Sequence, residues 1–274
     1  MTEIDAAVDA QYNLRGHPDR EPVYARYTAR SEAFRAEMTG RSACQLDVAY
    51  GNHPRARLDV FHADDPKGVL VFFHGGYWRA LDKNIFSLLA ESFIANNLTV
   101  VMPAYPLAPE SSLPVIVDHA RMALDWIAQD GRLERLPLVV SGHSAGGHLA
   151  AMCALSHEVA GAIPISGLFD LEPLRHTNVN IEARMSAEVA AALSPALTLR
   201  PTPVPTLLIV GGDETQGFEW QTANYAAILR GAGGAASVIQ PQGCNHFTIL
   251  DPFSAPNEAA HKSALAFAFQ CIGH

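Results

Sequence analysis

The chain has little cysteine, no clustered positive charge and no long apolar run, and each shortage excludes a class of protein. Four cysteines in 274 residues, Cys44, Cys153, Cys244 and Cys271, lie far apart with no paired spacing. That pattern builds neither a disulfide framework nor a zinc site, and it suits a reduced, cytoplasmic chain. Lys and Arg number 19 against 28 Asp and Glu, a formal charge of −9 with the cations scattered. Nucleic acid and anionic membrane surfaces both need clustered cations, so neither is an expected partner. No apolar run approaches the roughly eighteen residues that a membrane span requires. Residues Met1 to Asp5 are acidic and lead into no apolar segment with a cleavage site, so no secretory signal is visible. Internal repeats and low-complexity tracts are absent too. With 49% hydrophobic and 17% charged residues, the chain can bury a large core, and 1–274 falls within the range of one α/β domain.

What is present is a set of glycine-bearing loops, each at the end of an apolar run. Leu136 to Val140 leads into Gly142-His143-Ser144-Ala145-Gly146, and a small-residue run follows to Ala154. Strand, tight turn and helix in that order form the setting in which the serine of G-x-S-x-G becomes a nucleophile on a sharp elbow. The five-residue pattern alone would arise by chance in roughly one chain in ten. A second loop raises its weight. Val69 to Phe73 runs into His74-Gly75-Gly76-Tyr77-Trp78, where an oxyanion loop belongs. The expected donors are the N–H groups of Gly76, Tyr77 and Ala145, with Gly75 allowing the turn.

Two further elements come late. Thr206 to Val210 is an apolar strand ending in Gly211-Gly212-Asp213-Glu214, which places an acid beside the elbow. Asp213 and Glu214 are adjacent and spacing does not choose between them. After the strand-like Ala236 to Gln240 comes a loop holding His246, the expected general base, with Phe247 next to it. His143 and His148 flank the serine as packing residues, since a metal role would need a third converging ligand. Cys153 is expected in the core, and Cys244 near His246 as a packing residue.

Strands and helices alternate along the chain. Leu46 to Tyr50 and Arg57 to Phe61 read as an edge hairpin, and runs at Val69–Phe73, Leu98–Met102, Leu136–Val140, Gly161–Ile165, Thr206–Val210 and Ala236–Gln240 bring the total to eight strands. Apolar strands without alternation are covered on both faces, which predicts an α/β fold with a mostly parallel eight-stranded sheet flanked by helices. Phe86, Leu89, Ala90 and Phe93 form one helical stripe, Ile116 to Ile127 another, and Ala264 to Cys271 a closing helix. Residues 1–40 are expected to form a helical arm. The proline-bearing segment 167–205 is an excursion over the strand ends, partly helical from about Ile181 to Leu193, serving as a cap-like pocket wall.

These residues carry a resemblance. The chain resembles the α/β-hydrolase fold and, within it, the arylformamidase (kynurenine formamidase) group, close to the hormone-sensitive-lipase-like esterases. The carriers are His74 to Trp78, Tyr105-Pro106-Leu107-Ala108-Pro109-Glu110 and Gly142 to Gly146, with Tyr12-Asn13-Leu14-Arg15, Phe218 and Gln221 favouring the formamidases. The resemblance implies Glu214 as the acid, whereas generic chemistry favours Asp213. It also implies a homodimer. The implied reaction is attack by Ser144 on a formyl or other small acyl carbonyl, with His246 as base and no metal or organic cofactor.

The expected substrate is a small acyl amide or ester with an aromatic leaving group, walled by Trp78 and Phe247. N-formylkynurenine-like formamides are one reading, short-chain carboxylesters a second. A catalytically silent binding protein is a third, opposed by the presence of Ser144, His246 and a nearby acid.

Overall fold

Eight strands hydrogen-bond in the order β1-β2-β4-β3-β5-β6-β7-β8 in a computed structural model that describes residues 3–273. Met1 and Thr2, which entered the expectation for the amino terminus, and His274 lie outside the described residues. The strands are β1 Cys44–Ala49, β2 Arg57–Phe61, β3 Gly68–Phe73, β4 Leu98–Pro103, β5 Leu138–His143, β6 Gly161–Ile165, β7 Thr206–Ile209 and β8 Ala236–Ile239. Strand β2 pairs antiparallel with β1 and β4, and every pair from β4 to β8 is parallel. The sheet is the one expected from the apolar runs.

Alternate side chains of the central strands enter two separate cores. Val69, Val71 and Phe73 of β3 pack on one face with α4 (Leu113–Ile127) and α5 (Ala145–Ser156). Leu70 and Phe72 face the other, with α3 (Ala90–Ile94), α9 (Leu250–Ser254) and α10 (Ala259–Ile272). Burial on both faces is why these strands carry no polar alternation. The amino-terminal segment supplies α1 (Ala6–Tyr12) and α2 (Arg20–Gly40). Along α2 the buried residues Val23, Tyr27, Ser31, Phe34 and Met38 recur at helical spacing. A buried charge cluster fixes α2 to the sheet edge: Asp59 accepts from Arg35, from Lys83 Nζ at 2.8 Å and from the Asp47 N–H at 2.8 Å. A fully buried carboxylate is tolerable only when its charge is met by cations and donors in this way.

Three differences from expectation stand out among small shifts at element ends. Strand β5 begins at Leu138 rather than Leu136, because Leu136 N–H closes a turn on Leu133 O at 2.9 Å and Pro137 has no N–H to give a ladder. The stripe from Phe86 to Phe93 is buried, but its first half is a 3-10 helix, Lys83–Leu89, before α3 begins. The partly helical stretch expected from Ile181 to Leu193 consists of two short helices, α6 (Asn180–Ala183) and α7 (Ala187–Ala192). Arg184 turns left-handed at φ 50°, Asn180 Oδ1 accepts from Met185 N–H at 2.6 Å, and Ser186 caps the second helix by accepting from Val189 N–H at 3.2 Å. Local side-chain acceptors therefore outcompete helix continuation.

Close approach of α5 to the sheet depends on glycine. A Cβ on Gly146 would lie 2.0 Å from Phe73 O, and one on Gly142 would lie 2.3 Å from Gly146 O. Main-chain atoms on both sides leave no rotamer to relieve the clash. Gly146→Ala is expected to lower unfolding free energy by about 3 kcal/mol, the upper end of overpacking costs, read as a fall in urea midpoint at constant m-value.

Candidate active site

Four loops meet at the carboxyl ends of β3, β5, β7 and β8, the crevice where open α/β sheets bind ligands. Ser144 stands between β5 and α5 with φ 58° and ψ −119°, a conformation few non-glycine residues adopt. Its N–H donates to Ile165 O at 2.8 Å, and its carbonyl accepts from His148 N–H at 3.1 Å, so the main chain on both sides holds the strained turn. The side chain lines a cavity of about 370 Å³ that His246, Gly76 and Tyr77 also line. Among the described residues Ser144 Oγ makes no hydrogen bond to a protein group, His246 included. Such bonds are commonly long until a substrate docks.

His246 and Glu214 form a close buried pair, with Nδ1 2.7 Å from Oε2. The other oxygen, Oε1, accepts from Gly211 N–H at 2.9 Å and from the Ser166 hydroxyl. The carboxylate is therefore fixed in one orientation, and the imidazole edge opposite Nδ1 is left toward the cavity. Phe218 lies against the imidazole with ring centroids 4.3 Å apart, and His143 at 4.6 Å on another side. Asp213 is exposed; only its N–H is engaged, by Cys244 O at 2.9 Å. Of the two adjacent acids, Glu214 is the one brought to His246.

Gly76 has φ +112°, and a Cβ there would meet Ala80 O at 2.2 Å. Only glycine fits that bend. Gly75 passes so near the elbow that an added Cβ would sit 3.3 Å from Ser144 Cβ. Among the described residues the N–H groups of Gly76, Tyr77 and Ala145 donate to no protein acceptor. Tyr105 supports the loop from beneath, stacked on His74 at 4.3 Å and donating its hydroxyl to His74 O at 2.6 Å.

Trp78 does not line the cavity, which corrects its assignment as a pocket wall. It is fully buried in the core, edge-on to His148 at 5.1 Å. As the largest apolar side chain on the loop, it gains most by leaving water. Phe247 does line the cavity, and it is also anchored against His17 at 5.1 Å and Tyr24 at 5.7 Å.

The remaining wall comes in part from the excursion expected there and in part from the amino-terminal segment, whose Tyr12 to Arg15 stretch the resemblance marked without giving it a place in the pocket. Asp9, Tyr12, Asn13, Arg15 and Tyr24 of the amino-terminal segment line it, with Asn178, Val179 and Glu182 of the excursion. The segment is strapped to both sides of the site. Asp9 accepts from Asn178 N–H at 2.7 Å, Thr215 Oγ1 donates to Gln11 O at 2.6 Å, and Tyr77 donates its hydroxyl to Tyr12 O at 2.5 Å. Gln221 Nε2 donates to the Tyr12 hydroxyl at 3.3 Å and to Asp170 O at 2.7 Å, joining helix α8 (Gln216–Gly231) to both strap and excursion.

A family model for the alpha/beta hydrolase fold matches residues 70–202, and the kynurenine formamidase of Danio rerio is 30% identical over 237 residues, 80% of each chain. The chain belongs to the α/β-hydrolase family. The kynurenine formamidase of Salmo salar matches this α/β hydrolase at 29% identity, over 77% of the chain and 78% of its own length. Among solved structures, a candidate thioesterase from Silicibacter sp. tm1040 superposes with a TM-score of 0.83 at 29% identity, covering 95% of this chain and 98% of its own. The α/β hydrolase is accordingly an enzyme of hydrolysis acting on a small substrate. No helix among the described residues is long and apolar enough to cross a membrane, and no three metal-ligating side chains converge among them.

Buried histidines, His261 among them, contribute to the hydrolase's response to acid. His148, with Nε2 2.8 Å from Leu193 O, is pushed down to about 4, and His74 and His143 also titrate below their ordinary value of 6.5. Desolvation is the main cause in each case. An imidazole neutral when folded but free to protonate when unfolded gives the unfolded chain more bound protons between these two values. Stability present above pH 6.5 is therefore lost as pH falls toward 4. Urea midpoints measured across that range are expected to decline steadily, and His148→Gln to make the decline shallower.

Proposed function

We propose that this α/β hydrolase cleaves an aryl formamide such as N-formylkynurenine, or a closely related small acyl amide or ester, through an acyl-enzyme on Ser144. The observation that carries the reading is the buried Glu214–His246 pair, 2.7 Å apart, opening on the cavity that Ser144 lines. The kynurenine formamidases of two fish, matching about four-fifths of the chain, supply the substrate class.

The chemistry follows from where protons and charge go. Ser144 Oγ attacks the formyl carbon while its proton passes to His246 Nε2, and Glu214 stabilises the imidazolium through Nδ1–H. The carbonyl oxygen becomes an oxyanion and accepts from the N–H groups of Gly76, Tyr77 and Ala145, each donor of this kind being worth about 3 kcal/mol of barrier. The C–N bond breaks as His246 returns the proton to the leaving amine. Water then gives a proton to His246 and attacks the formyl-serine, releasing formate and restoring the hydroxyl. None of these steps calls on a metal or organic cofactor. A cytoplasmic location agrees with the four free cysteines, which suit a reducing compartment.

Ester or thioester cleavage is a second reading, favoured by the likeness to the candidate thioesterase from Silicibacter over nearly the whole chain. Comparing kcat/KM for N-formylkynurenine and p-nitrophenyl acetate separates the two. The formamide is expected to be the better substrate, and a hundredfold advantage for the ester overturns the first reading.

A further inference from the structure

The charged end of the cavity is unused by this chemistry. Arg79 lies two residues past Tyr77, on the loop whose N–H groups face the reacting carbonyl, and its side chain is 9% exposed. Its Nη1 donates to Asn178 O at 3.3 Å and sits 3.3 Å from Glu182 Oε1. Among the described residues Nε and Nη2 have no protein acceptor, although a guanidinium carries five N–H donors in a planar fork. The same Glu182 oxygen also accepts from Arg15 Nη2 at 2.9 Å. One carboxylate thus serves two guanidiniums. The other acid on this wall, Asp9, is turned to the N–H and side-chain amide of Asn178, at 2.7 and 2.8 Å, and to the Asn13 amide at 3.0 Å. Burial pulls the Arg79 pKa down and Glu182 opposes that only in part, the mark of a desolvated cation short of anionic partners.

We propose that Arg79 is a specificity residue that receives a carboxylate on the leaving-group side of the substrate, with Glu182 as its internal competitor. The side of the substrate follows from the proposed function, because a formyl group has no room for a charge. Arg79 is held by the oxyanion loop itself, so an anion seated on its fork fixes the distance from the leaving group to Ser144. A carboxylate fits the site because it is planar, can accept from two guanidinium nitrogens at once, and supplies the single negative charge that two arginines sharing Glu182 leave unmet.

Two matched pairs of substrates test this: 3-formamidobenzoate against its methyl ester, and 3-acetoxybenzoate against its methyl ester. Wild-type enzyme is expected to favour the anion of each pair about tenfold in kcat/KM, mostly through KM, as expected for a hydrogen bond between charged groups. Arg79→Met should bring that ratio close to one by raising KM for the anion, and Arg79→Lys should retain part of it. Glu182→Gln should raise the ratio by removing the competitor, which a merely structural Arg79–Glu182 pair would not do. Should Arg79→Met fail to fold, Glu182→Gln decides alone. A ratio unchanged in both variants, or equal losses for the charged and neutral members, overturns the proposal. If only the ester pair turns over but keeps its anion preference, the formamidase reading fails and Arg79 stands. If formamides turn over with no anion preference, Arg79 fails and the formamidase reading stands.

Discussion

Ser144→Ala is expected to lower kcat by about 10⁴- to 10⁶-fold and to abolish labelling by a fluorophosphonate probe. The size of the loss follows from what is removed and what remains. Without Oγ there is no acyl-enzyme, and His246 has no proton to take from the elbow. The N–H groups of Gly76, Tyr77 and Ala145 stay in place and can still assist a direct attack by water, which leaves a residue of rate well above the uncatalysed reaction. Oγ makes no protein hydrogen bond, and alanine meets the same φ of 58° that serine tolerates, so the change in stability should be under about 1 kcal/mol. Activity above a hundredth of wild type in purified Ser144→Ala, or a wild type that resists the probe, would remove Ser144 from the proposed mechanism. The second outcome would favour a catalytically silent binding protein.

Glu214→Gln and Asp213→Asn are expected to differ by more than a thousandfold. An amide at position 214 can present N–H to Nδ1, which forces the proton onto Nε2 and leaves His246 unable to accept from Ser144. An equivalent change of tautomer in a serine protease lowers kcat by about 10⁴. Glu214 has no freedom to avoid this, since Gly211 N–H and the Ser166 hydroxyl hold its other oxygen. Asp213→Asn, at an exposed position with no hydrogen bond to the imidazole, should cost less than about threefold in kcat, in keeping with a surface change. Steady-state kinetics on the two purified variants decide the matter, and a larger loss in Asp213→Asn would reverse the roles proposed for them.

The fold was legible because the apolar runs that build a doubly covered sheet leave few other arrangements. The parallel direction of β3 to β8 follows from six such runs with helical segments between them, whereas the placing of β3 between β4 and β5 does not. Ser144 and the glycine loop could be found locally, since backbone crowding at Gly146 and Gly76 permits almost no other residue. The acid could not be found that way. Asp213 and Glu214 share one turn, and Glu214 is held toward His246 by Ser166 and Gly211, which spacing alone does not connect to it. Trp78 was misplaced because aromatic character marks core and pocket alike, and the side chain went to the core. The break at Arg184 was hidden in a segment with helical composition on both sides. Least legible was the wall formed by Asp9 to Arg15, whose partners are set by tertiary packing and by no periodic signal.

That wall has a consequence for how the molecule reaches activity. Asp9 meets Asn178 across 169 positions, and Gln11 meets Thr215 across 204. Closing such spans is entropically expensive and, in general, slow. On the ribosome, where synthesis proceeds at about 5–20 residues per second, this strap, which emerges before its docking partners, must wait some ten seconds or more for them to appear. The nascent sheet can collapse in the meantime, but the pocket remains without one side until the strap returns to it.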